Sequence, residues 1–168
     1  MEQHLPKPGR PSPIGSWQML TAVSEGLVVL SLPNRAARLY PLGAEGLKAT
    51  GAVVRFFHDR LTEANAGMAA AAGELWTESE EHFQVAIRQA DELPHRLEQP
   101  QVRSWYAQML IDRDGEGDRE MARHLLTEAL SMYARIGMPR HEARAKELLS
   151  QLYARSRPQD EASSGQTT

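Results

Sequence analysis

The stretch of this sequence richest in possible chemistry is Asp112-x-Asp114-x-Glu116-Gly117. Alternating oxygen donors followed by a glycine at the sixth place match the opening of a calcium loop. The match then fails, because the twelfth position requires a bidentate glutamate and is Arg123, and Arg119 stands where an apolar residue is normal. An acidic turn between helices accounts for the run. Glu78 and His82 lie one helical turn apart, close enough to share a metal ion. They lack an evident third ligand, so a solvated pair or a partly packed histidine is the plainer reading and a metal-dependent helical enzyme the sharper alternative. His95, His124 and His141 are scattered in the same way. The chain has no cysteine, which excludes disulfides, thiolate nucleophiles and cysteine-ligated zinc. No G-x-S-x-G nucleophile signature occurs either. No catalytic, metal-binding or cofactor-binding residue is therefore expected, and the protein is not read as an enzyme.

Two polar surfaces remain. Gln101, Ser104, Gln108 and Asp112 recur at helical spacing opposite an apolar face. In stacked helical hairpins the first helix of each repeat lines the concave surface, and Ala107 aligns with the small position of such a repeat. These residues are the expected partner-binding set, with a simple solvated helix face as the alternative. Arg135, Arg140, His141, Arg144 and Lys146 form a basic cluster, diluted by Glu142 and Glu147. Cations near Gly137 complement the negative end of the helix before it. With a formal charge of -3 and a pI near 6.1, no global field attracts nucleic acid or anionic lipid, so neither is an expected partner.

The elements that must position these residues follow from pattern. At 168 residues, 41% apolar and 24% charged, the chain suits one water-soluble domain. Prolines at 6, 8, 11 and 13 disfavour helix at the start, and the polar run after Arg155 disfavours it at the end. Residues 1–15 and 155–168 are expected as disordered tails around a domain at 16–154. The start carries no apolar signal-peptide core, and Gly26 to Leu32, the longest apolar stretch, is too short to span a bilayer. A cytoplasmic setting is expected.

Apolar residues recur at helical spacing throughout, with no strand-like alternation. About seven helices are expected. Trp17 to Leu30 forms the first, with Asn34 capping the second, Arg35 to about Ala49, which Pro41 must kink or divide. Phe57, Leu61, Ala64, Met68, Ala71 and Leu75 make the apolar stripe of the third. Around it lies the run from Ala66 to Gly73, whose small side chains permit close approach of another helix. Thr77-x-x-Glu80 reads as a capping box opening a fourth helix, faced by Phe83, Ala86, Ile87 and Ala90 and ended near Pro94. Pro100 closes the following loop. Val102, Trp105, Tyr106, Met109 and Leu110 face inward on the fifth helix, and Asp118 caps the sixth, whose stripe runs from Ala122 to Ile136 and stops at Gly137. Pro139 opens a last helix with Ala145, Leu148, Leu149 and Leu152 inward.

A degenerate repeat links these helices. Ser79-x-x-x-Phe83-x-x-Ala86 returns as Ala122-x-x-x-Leu126-x-x-Ala129, each after a helix with a small residue, Gly67 or Ala107. The separation, 122 − 79 = 43 residues, exceeds the tetratricopeptide period of about 34. The fold class expected is all-α: stacked antiparallel hairpins, a tetratricopeptide-like solenoid. Trp76-x-x-Ser79-Glu80-x-His82-Phe83-x-x-Ala86, the run Asp91 to Arg96, Gly117-Asp118-Arg119 and Tyr133-x-x-Ile136-Gly137-Met138-Pro139-Arg140-His141 carry a family resemblance. Together they resemble the C-terminal helical-repeat region of large bacterial signalling ATPases, fused to a nucleotide cyclase or a LuxR/MalT-like domain. That resemblance spans Ser16 to Leu152 and implies a sensing or partner-binding arm. Ser79 departs from its usual alanine, and Leu32-Pro33 replaces a glycine-containing turn.

The chain has no G-x-x-x-x-G-K-[ST] phosphate loop, no cyclase-like aspartate pair and no DNA-reading helix, so the parent activities do not carry over. The function expected is a non-catalytic protein-interaction module. A fragment of a larger cyclase or ATPase regulator is the alternative. The implied partner is a protein or peptide, with ATPase or cyclase domains of a related signalling protein among the possibilities and self-association left open at the first hairpin.

Overall fold

The computed structural model describes residues 5–7, 9, 12–50, 61–93 and 96–155. Phe57, Pro94, His95 and residues 156–168 lie outside them, as do residues 1–4, 8, 10 and 11 of the opening segment. The described residues form eight helices and no strand. The protein is all-α.

Helix α1 (Ile14–Val29) starts directly after Pro13, before the expected Ser16 boundary. Gly9 N–H donates to Glu45 Oε1 at 2.7 Å, which brings part of the opening segment against a later helix. The expected second helix is divided into α2 (Pro33–Ala37) and α3 (Tyr40–Thr50), which raises the helix number from seven to eight. Pro41 is the second residue of α3, where its missing N–H breaks no helical bond. Asn34 is not the cap: it lies inside α2, which opens at Pro33 after Leu32, two residues earlier than expected.

Helix α4 (Thr62–Ala72) is buried from Ala64 to Met68 and on through Ala70. Its small residues let α1, α2, α3, α5 and α6 all pack against it. Leu75, expected in its stripe, lies beyond the helix end and is exposed. Helix α5 (Trp76–Glu92) opens after Leu75 without a side-chain cap. The expected capping box does not form, because Glu80 is held by Tyr106 and Arg113 instead. Helix α6 (Glu98–Arg113) takes in Pro100 as its third residue, a position that needs no N–H. Helix α7 (Asp118–Ile136) follows Gly117 at φ 80°, so Asp118 is its first residue rather than its cap. Gly137 at φ 82° ends α7, and α8 (Pro139–Arg155) opens on Pro139, both as expected.

Short turns make α4–α5 and α6–α7 antiparallel hairpins, and α8 packs on both α6 and α7. The same layering appears between first arms, since α1 touches α4, α4 touches α6 and α6 touches α8. The repeat positions carry the packing. Ser79, Phe83 and Ala86 in one hairpin and Ala122, Leu126 and Ala129 in the next are all buried, as is Ala107. Ser79 Oγ donates to the Gly67 carbonyl at 2.9 Å, and the missing Gly67 side chain admits the Phe83 ring. Phe83 then stacks on Tyr106 with ring centres 5.5 Å apart, joining one hairpin to the next.

Candidate functional site

A groove of about 850 Å³ runs across the first arms and is lined by α1, α4, α6 and α8, with Trp76 and Phe83 from α5 and Tyr133 from α7. Its size is that of a ligand cleft rather than a packing defect. Gln101, Ser104, Gln108 and Asp112 all line it. Their spacing along α6 places them on one wall, as helical geometry requires. They are ordered by local bonds: Ser104 Oγ donates to the Pro100 carbonyl at 3.0 Å and lies 3.1 Å from Tyr133 Oη. Gln101 Oε1 is 3.5 Å from the same hydroxyl, and Gln108 Nε2 donates to Asp112 Oδ1 at 2.9 Å.

The other walls were not assigned to the site by sequence pattern. Trp105, expected to face inward, is half-buried and lines the groove together with Met109. Glu25 and Val28 come from α1, and His141 and Arg144 from α8. The signal for α8 was present in the spacing of 141, 144, 145 and 148, which forms one helix face. Among the other residues of the basic cluster, Lys146 pairs with Glu142, and the His141 ring lies 5.4 Å from that of Tyr133.

Arginines hold α6 in place from both ends. Arg103, only 7% exposed, meets Asp91 of α5 at 2.9 Å and Glu128 of α7 at 2.8 Å. Burial works against its charge, but these bonds outweigh burial and raise its pKa. Arg113 meets Glu80 of α5 and Asp118 of α7, both at 2.7 Å. Ion pairs behind the groove wall thus add to the buried apolar face of α6 in holding it against α5 and α7.

The acidic run has no ligand-like convergence. Asp114 adopts φ 51° and binds Arg119, and Gly115 N–H donates to Asp118 Oδ2 at 2.7 Å. His82 is engaged by residues other than Glu78: its Nδ1 lies 2.6 Å from Glu63 Oε2 and its Nε2 3.3 Å from Tyr40 Oη. Among the described residues no group of three or more His, Asp or Glu side chains is placed to hold a metal ion. None of the described helices is long and apolar enough to cross a membrane.

No family model, curated protein or solved structure matches this chain.

Proposed function

We propose that this protein is a non-catalytic interaction module whose groove takes up a peptide segment of a protein partner. The observation that carries this reading is one continuous cleft, contributed by four first-arm helices, with an ordered polar wall on α6. A surface built from successive repeats suits an extended ligand better than a compact metabolite. The resemblance to the repeat region of bacterial signalling ATPases supports a regulatory role in the cytoplasm, with an ATPase or cyclase domain of a related protein as the source of the peptide.

The test is selection of a displayed peptide library against the full chain, followed by binding measurements on the recovered sequences. Replacement of Gln101, Ser104, Gln108 and Asp112 together by alanine is expected to abolish their binding. Alanine at Arg123, Thr127 and Ser131, exposed on α7, should leave it unchanged. Failure to enrich any sequence, or equal binding to the α6 variant, would overturn the proposal.

A further inference from the structure

Glu25, Glu74 and Asp112 share the groove lining with Trp76 and Trp105. Arg144, on the α8 wall, is the one Lys or Arg among the described lining residues. The carboxylates come from α1, the α4–α5 turn and α6, and the cation from α8. Apolar surface from Val28, Met68 and Met109 lies in the same lining. Trp105 and Glu25 also border a smaller recess, together with Met68, Glu98 and Gln101.

A lysine or arginine side chain satisfies every component of such a surface. Its alkyl stem packs on apolar side chains, its head pairs with carboxylate, and an indole face attracts the same charge. An acidic side chain in that place would meet like charge and lose its hydration without compensation. We infer, on the basis of the peptide-binding reading above, that the occupant is an apolar peptide segment bearing lysine or arginine. Its cations lie toward the acidic residues of the lining and away from Arg144 on α8.

The library selection above tests this through the composition of what it recovers. The expected result is an excess of Lys and Arg over Asp and Glu relative to the unselected library, beside large apolar residues. A recovered peptide whose cations are changed to glutamine should bind the full chain about tenfold more weakly, and the glutamate version more weakly still. Glu74→Gln combined with Asp112→Asn should narrow the gap between the cationic and neutral peptides by about threefold or more. Higher salt should narrow it also. Recovery of peptides without basic bias, or equal binding of cationic and neutral versions, overturns this inference while leaving peptide binding intact. Recovery of nothing overturns the peptide-binding reading itself.

Discussion

Arg113 shows how single charges hold this molecule together. Burial alone would raise the Glu80 pKa, but hydrogen bonds from Arg113 and Tyr106 outweigh it and hold it below its ordinary 4.5. For Asp118 the Arg113 bond is the leading influence, aided by the Gly115 N–H, and holds the carboxyl below 3.8 against burial. Both groups are thus more acidic folded than unfolded. Their contribution is complete above about pH 4.5 and is lost as pH falls through their folded values. Urea unfolding at stepped pH should show that loss, and Asp118→Asn should flatten it while costing about 2 kcal/mol at neutral pH. An unchanged acid limb in the variant would remove Asp118 from this role. On the alkaline side, burial and then the bond to Glu80 push the Tyr106 hydroxyl up to about 12. This raised value contributes stability below pH 10, lost as pH rises through 12, and Tyr106→Phe should abolish that part of the pH dependence.

At the level of the helix, Gly67 is the decisive position. Alanine inside a helix normally exceeds glycine by about 1 kcal/mol. Here an added Cβ would stand 3.1 Å from the Phe83 ring, which is 1% exposed and stacked on Tyr106. Because withdrawing the ring would disturb its stack on Tyr106, Gly67→Ala should destabilise by about 1 kcal/mol despite the gain in helix propensity. Combined with Phe83→Leu, its cost should be smaller than when alone, because the smaller side chain relieves the contact. Thermal melts of the single and double variants decide this, and additive losses would place the strain elsewhere. The tolerance of Pro41 and Pro100 has the opposite origin, since both sit in first turns where the absent N–H has no partner to lose.

Across the whole molecule the packing is uneven. The main apolar cluster is built from Leu61 and helices α4 to α8, whereas α1 contributes only partly buried Val28 to it. The α1–α3 block instead rests on Leu20, Ala36 and the seat of Trp17 against Gly46, where an added Cβ would meet the ring at 2.5 Å. Amide exchange should therefore be faster in α1–α3 than in α6 and α7. Since Glu25 and Val28 line the groove, a bound peptide should slow exchange in α1 most of all. Uniform protection along the chain, before or after binding, would contradict this division.

Helical periodicity determined the class of the fold because the buried faces of α5, α7 and α8 repeat at helical spacing, although α4 is buried on all sides from Ala64 to Ala70. The repeat positions from Ser79 to Ala86 and from Ala122 to Ala129 were readable for that reason, and all three key residues of each are buried. The α6 wall was readable too, since Gln101, Ser104, Gln108 and Asp112 lie on one helix and need no knowledge of any other. Helix starts were less so: Glu80 and Asp118 have the right types for capping but are drawn to Arg113, which lies on a separate helix. The groove belongs to the tertiary structure alone. Glu25, Trp105 and Arg144 are more than a hundred residues apart at the extremes, and no local pattern records that they border one cleft. Periodicity specifies which side of each helix turns inward; only the packing of one helix on the next decides which exposed sides face each other.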